Sequence, residues 1–105
     1  MLRIYEVVRE MLRMLRPVIA QVETHDRDLA RQMKKAGPSI LLNVGEGSGN
    51  RGGTRRERYA TALGSAKETT SCLHAALDLG YVESVDEKLL DHLDHIRAVL
   101  VKNVR

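Results

Sequence analysis

This 105-residue chain predicts an all-α fold: an antiparallel up-down-up-down four-helix bundle. Four segments repeat apolar residues at helical spacing, and the links between them are short. No run alternates apolar and polar residues as a half-buried strand would. The length fits a single domain, residues 1–105. A chain this short leaves much of its surface exposed, so stability depends on good helix packing or on association of subunits.

The first helix is expected from Leu2 to Val22. Its apolar residues include Ile4, Val7, Val8, Met11, Leu12, Met14, Leu15, Val18, Ile19 and Val22. That is about four positions per heptad, where one covered face needs nearer three. So broad an arc suits a helix with two neighbours, one of them in another subunit. Pro17 lacks an N–H and is expected to kink or divide this helix near Arg16. The second helix is expected to start near Thr24–Asp28, with Thr24 or Asp26 as N-cap. Leu29, Met33, Ala36, Ile40 and Val44 form its stripe. Gly37–Pro38 predicts a bend, and Gly45 and Gly47 predict its end.

The third helix is expected to open on the capping box Thr54–Glu57 and to stop at Gly80. Leu63, Ala66, Thr70, Leu73 and Leu77 follow at helical spacing. A second capping box, Ser84–Glu87, predicts the start of the fourth helix, which carries Leu89, Leu90, Leu93, Ile96, Leu100 and Val104. Small residues crowd the middles of the second and third helices: Ala36, Gly37 and Ser39, then Ala60, Ala62, Gly64, Ser65 and Ala66. They predict a close helix contact there, because Gly64 within a helix costs about 1 kcal/mol relative to Ala and needs a packing reason.

Composition narrows the function classes. Aromatic residues are 3% of the chain, with no Trp or Phe, which argues against recognition by base stacking. The single Cys72 excludes an internal disulfide and fits a reducing cytoplasm. No stretch is long and apolar enough to span a bilayer, and the charged N-terminus does not read as a signal peptide. The net charge of +3 is unevenly spread: residues 1–58 hold 12 Lys/Arg against 7 Asp/Glu, and residues 59–105 hold 5 against 7. That asymmetry suits an anionic partner on one surface, unless charges such as Glu6–Arg9 and Glu10–Arg13 pair along helix faces.

Gly47–Gly52 spells G-x-G-x-x-G, but it follows a helix, not a strand, so it is no dinucleotide fingerprint. Gly53 and Thr54 also stand where a nucleotide-hydrolase loop needs Lys and Ser/Thr. What remains is a cluster of arginines, Arg51, Arg55, Arg56 and Arg58, beside the free N–H groups of a helix N-terminus. That is either a sequence-blind phosphate grip or a solvated loop with a charged edge. No glutamate precedes a histidine by three residues, so a di-iron bundle is excluded. Asp91–His95 reads as a solvated helix face, with a metal at a subunit contact as the lesser alternative. Cys72 and His74 lie two residues apart on a helix and face different ways. With no nucleophile and base grouped, the chain is read as non-enzymatic and without a cofactor.

The segment from Gln32 to Tyr81 carries a resemblance. Gln32, Ala36, Ser39, Ile40, Asn43, Glu46 and Gly47 are followed by Ala62, Gly64, Ser65 and Glu68, then by Leu79, Gly80 and Tyr81. In order and spacing these resemble the bacterial four-helix-bundle family named after proteins encoded in the intervening sequence of 23S ribosomal RNA. The chain departs from that pattern at Ser48 and Asn50, where an aromatic and a basic residue are usual, at Tyr59 in place of leucine, and at Pro38 before Ser39. The resemblance implies a homo-oligomer, with a cyclic pentamer as the best-known arrangement. A relative that serves diversity-generating retroelements binds nucleic acid and a reverse transcriptase. RNA or DNA, and a reverse transcriptase or other protein, are therefore the implied partners. The leading expectation is a non-catalytic accessory protein binding nucleic acid, and the alternative is a protein-interaction adaptor. On this reading Asn43, Glu46, Ser65 and Glu68 cap helices or bond across the contact between helices two and three.

Overall fold

A computed structural model describes residues 3–49 and 52–105. Four helices follow in order: α1 (Arg3–Glu23), α2 (Arg27–Ser48), α3 (Gly52–Asp78) and α4 (Glu87–Asn103). They form a four-helix bundle 42 × 24 × 20 Å across. α1 packs on α2 and α4, and α3 packs on the same two, so each helix has two neighbours. Within the chain α1 thus has two neighbours. Its buried row is Ile4, Val8, Met11, Leu15 and Val22. The flanks of its broad arc line two surface grooves, Leu12 and Ile19 beside α2 and Val7 beside α4. The core draws on all four helices, with Met33 and Ile40 from α2, Tyr59 and Leu73 from α3, and Leu89, Leu93 and Ile96 from α4.

Neither proline ends its helix. The carbonyls left without a donor belong to Arg13 and Lys34, both on exposed turns where water can serve them. Asp26, not Thr24, caps α2: its Oδ1 accepts from the Leu29 N–H at 2.9 Å, while Thr24 Oγ1 donates to the Gln21 carbonyl at 2.7 Å. The other oxygen of Asp26 accepts from the Tyr81 hydroxyl at 3.1 Å, so one carboxylate caps α2 and holds the α3–α4 loop. That bond, with some burial and the Asp26 charge, pushes the Tyr81 phenol above the ordinary tyrosine range. Its contribution is therefore whole at neutral pH and is lost only as the pH rises through the raised value. Gly80 (φ 75°) ends α3 in a Schellman motif, Tyr81 N–H bonding the Ala76 carbonyl at 2.9 Å and Gly80 N–H the Leu77 carbonyl at 3.1 Å.

Both expected capping boxes shift. α3 begins at Gly52, so Thr54 lies inside its first turn. α4 is capped by Asp86, whose side chain accepts from the Lys88 N–H at 2.9 Å, and Ser84 stays in the loop. Val82 is buried and Val85 half-buried against the core, which holds the chain extended past Ser84 before a helix can start.

The glycines correct the expected close contact. Gly64 is exposed, and a Cβ there would meet nothing within 4 Å. Ala60 is exposed too. The close approaches lie elsewhere. Gly37 faces α1, where a Cβ would sit 3.0 Å from Leu15 Cδ2 and 3.1 Å from Leu12 Cδ2. At Gly47 a Cβ would sit 2.5 Å from Cε1 of the buried Tyr59 ring. Gly47 is thus inside α2 for packing, whereas a Cβ at Gly45 would lie 3.4 Å from Tyr5 Cε1, an ordinary contact, and the helix runs past both to Ser48.

Two glycine-to-alanine variants should move stability in opposite directions. Gly64→Ala fills open space in a helix interior and should stabilise by about 0.5–1 kcal/mol. Gly47→Ala forces the Tyr59 ring from its seat and should destabilise by about 1–3 kcal/mol. Thermal melts of both against wild type check the pair, and a rise for Gly47→Ala or a fall for Gly64→Ala contradicts it.

Candidate nucleic-acid interface

The antiparallel order brings the start of α1, the end of α2, the start of α3 and the end of α4 to one end of the bundle. The charges divide accordingly. Residues 3–12, 38–49, 52–65 and 96–105 carry eight Lys/Arg against four Asp/Glu, whereas residues 13–37 and 66–95 carry eight against ten. The asymmetry expected along the sequence is therefore an end-to-end polarity in space. The first turn of α3 holds no acidic residue, so nothing in that turn offsets the partial positive charge of its N-terminus.

Three of the four candidate arginines stand in the first two turns of α3, and the fourth, Arg51, lies outside the described residues. Arg55 is half-buried, with its guanidinium carbon 5.4 Å from the centroid of the Tyr59 ring, a cation–π contact that orients it. Arg56 and Arg58 are exposed. Arg58 reaches α2, its Nη1 donating to Asn43 Oδ1 at 3.5 Å. Asn43 Nδ2 in turn donates to the Ser39 carbonyl at 2.9 Å and to Ser39 Oγ at 3.2 Å, and Ser65 Oγ donates to Ser39 Oγ at 2.8 Å. Ser39, Asn43 and Ser65 are thus one polar seam between α2 and α3 that continues to Arg58. Among the described residues none of these three arginines forms an ion pair with a carboxylate.

The other candidate positions fall differently. Glu46 and Glu68 are both exposed, and neither bonds across the seam. Their place in the motif is not hydrogen bonding between the helices, because both point away from the contact. Glu68 does lie near Cys72, whose thiol is pushed up first by burial and then by that charge. Glu6 pairs with Arg9 at 3.3 Å as its spacing predicts, but Glu10 reaches across to His92 Nε2 at 3.4 Å. Among the described residues no three His, Cys, Asp or Glu side chains gather into a metal site. No described helix is long and apolar enough to cross a membrane.

Two features escaped sequence reasoning. Tyr59 is wholly buried with its hydroxyl unpartnered, and Arg97 carries a buried Nε without a partner. Tyr59 could have been suspected, as a bulky residue standing where leucine is usual. Nothing local marks Arg97.

The fold and this end of the molecule define a class: a small all-α bundle with a polar seam between two helices and a cationic pole. The chain belongs to the 23S rRNA-intervening sequence protein family, whose model matches residues 2–102. No curated protein matches it. A crystal structure of a protein of unknown function from the S23 ribosomal protein family of Bacteroides thetaiotaomicron is similar in fold. It has a TM-score of 0.79 and 16% identity, and the match covers 97% of this chain and 98% of that one.

The seam should carry measurable stability. Ser39→Ala removes the hydroxyl shared by Asn43 and Ser65 and should cost about 0.5–1.5 kcal/mol. For a chain of this size that is a melting-temperature drop of several degrees. An unchanged melt would show the seam to be solvated decoration.

Proposed function

We propose that this chain is a non-catalytic, oligomeric accessory protein that binds nucleic acid through phosphate contacts at its cationic pole. One observation carries the reading: Arg55, Arg56 and Arg58 stand without carboxylate partners around an α3 N-terminus that no acid in the first turn offsets. Exposed amides and guanidinium groups at such an end attract anions and give affinity without reading bases. Of the two tyrosines at this end, Tyr59 is buried and Tyr5 is half-buried in a groove beside α2, so little aromatic surface is open for base stacking. Binding is therefore sequence-tolerant and driven by counterion release. RNA or DNA is the ligand class. A reverse transcriptase or other protein partner, and action in the cytoplasm, follow from the resemblance and from the single Cys72. If nucleic acid is not bound, the alternative is an adaptor that joins proteins.

Self-association would repeat the pole around an assembly, so weak contacts would add through avidity. Support comes from apolar surface left open: Leu42 is 66% and Leu79 60% exposed, and Val7 and Met14 on one face of α1 are half-buried. By the resemblance the assembly is a pentamer. Light scattering should give the mass of several chains, and Val7→Glu with Met14→Glu should reduce it to one. A monomeric wild type at tens of micromolar overturns the oligomer.

For the pole itself, labelled RNA and DNA are titrated at two salt concentrations with wild type and with Arg51, Arg55, Arg56 and Arg58 all changed to Ala. Wild type should weaken steeply with salt. The variant should lose affinity, and its log–log salt slope should flatten by about 0.7–0.9 per phosphate contact removed. Equal affinity and slope for the two proteins would dismiss the arginines as the site.

A further inference from the structure

A second surface lies on the side of the bundle between α3 and α4. It is a groove of about 660 Å³ with an apolar floor of Leu63, Ala98 and Val101. Lys67, Lys102 and Arg105 stand along its edges. Among the described residues none of these three cations pairs with a carboxylate. Arg97 also lines the groove; its Nη2 holds Asp94 at 2.5 Å, while its Nε is buried with no hydrogen-bond partner. Four cations therefore surround an apolar strip with a single carboxylate among them.

We propose that this groove docks an acidic amphipathic helix of a partner protein. Three features favour that occupant. The α4 lining residues Arg97, Ala98, Val101 and Lys102 recur at helical spacing and Arg105 follows just past the helix end, so the strip runs for about two turns. A partner helix fits such a strip with apolar anchors at i, i+3 or i+4, and i+7. Its flanking carboxylates would meet Lys67 on one wall and Lys102 and Arg105 on the other, a complementarity that selects acidic partners and speeds encounter. A sugar–phosphate backbone would use the cations but gain nothing from the floor, and no aromatic residue lines the groove to stack a base. The surface is separate from Arg55, Arg56 and Arg58, and the inference does not rest on nucleic-acid binding.

The full chain is titrated into a fluorescein-labelled peptide of about four turns, with leucines at i, i+3 or i+4, and i+7 and glutamates on both flanks. Fluorescence anisotropy should report binding, and the same peptide with lysines for glutamates should not bind. Lys67→Glu with Lys102→Glu and Arg105→Glu should weaken the acidic peptide at least about tenfold. Ala98→Gln adds bulk without charge at an exposed position and should weaken it about fivefold, while leaving the affinity for a labelled RNA oligonucleotide unchanged. Melts confirm that each variant is folded. The proposal is overturned by no peptide binding by wild type, by undiminished binding by Ala98→Gln, or by loss of RNA affinity in Ala98→Gln equal to the loss for peptide. A fall in oligomer mass in Ala98→Gln also overturns it, because the groove would then be covered by a second copy of this chain.

Discussion

The lock between α2 and α3 sets the geometry of this bundle. Tyr59 packs against Gly47, and any side chain at that glycine would collide with the ring. Two turns further along, Ser65 donates to Ser39. A steric seat and a hydrogen bond at two heights fix both the sliding and the rotation of one helix on the other. Dispersion and area burial alone would tolerate small slips, since apolar contacts have no direction. The lock also decides where the cations go, because Tyr59 orients Arg55 and Asn43 engages Arg58.

At the opposite end Asp26 has the corresponding role. One oxygen caps α2 and the other holds Tyr81, which also stacks on His25 with ring centroids 5.4 Å apart. The motif Leu79–Gly80–Tyr81 is thereby explained in parts. Gly80 supplies the positive φ of the Schellman turn, and Tyr81 ties that turn to the start of α2. Leu79 is largely exposed, and nothing within the chain explains it. The two ends also differ in charge: one is cationic, and the other is close to balance, with eight Lys/Arg against ten Asp/Glu.

That polarity adds little to stability, and on the proposed reading it bears on encounter with an anionic partner. Exposed like charges add little to folding, and isolated surface ion pairs such as Glu6–Arg9 contribute at most about 1 kcal/mol. An uneven field steers encounter and sets orientation. Tyr59 has a different consequence. Its buried hydroxyl without a partner carries a desolvation cost of about 1–3 kcal/mol, which leucine at that position would avoid. What the ring provides in return is the seat at Gly47 and the face beneath Arg55.

The four helices, their order and the stop of α3 at Gly80 can be read from the sequence alone, whereas the two capping boxes, equally local, mislead. Gly80 acts within a few residues of the groups it satisfies, so its role is legible without a fold, and the cap of α2 is legible as one of two residues, Thr24 or Asp26. The cluster of arginines is legible for the same reason, as is the apolar row of each helix. Which glycine faces a neighbour is set by helix packing, beyond the reach of local sequence. Gly64 and Gly47 look alike in sequence, but the rotational phase of a helix against its partner puts one in solvent and the other under a tyrosine ring. The same phase takes Glu46 and Glu68 out of the seam that Asn43 and Ser65 form. The loop before α4 starts its helix at Asp86 and not Ser84, because burial of Val82 outweighs a local cap. The groove between α3 and α4 joins Lys67 to Lys102 and Arg105 across more than thirty residues of chain. No local signal reaches that far; antiparallel packing creates the neighbourhood.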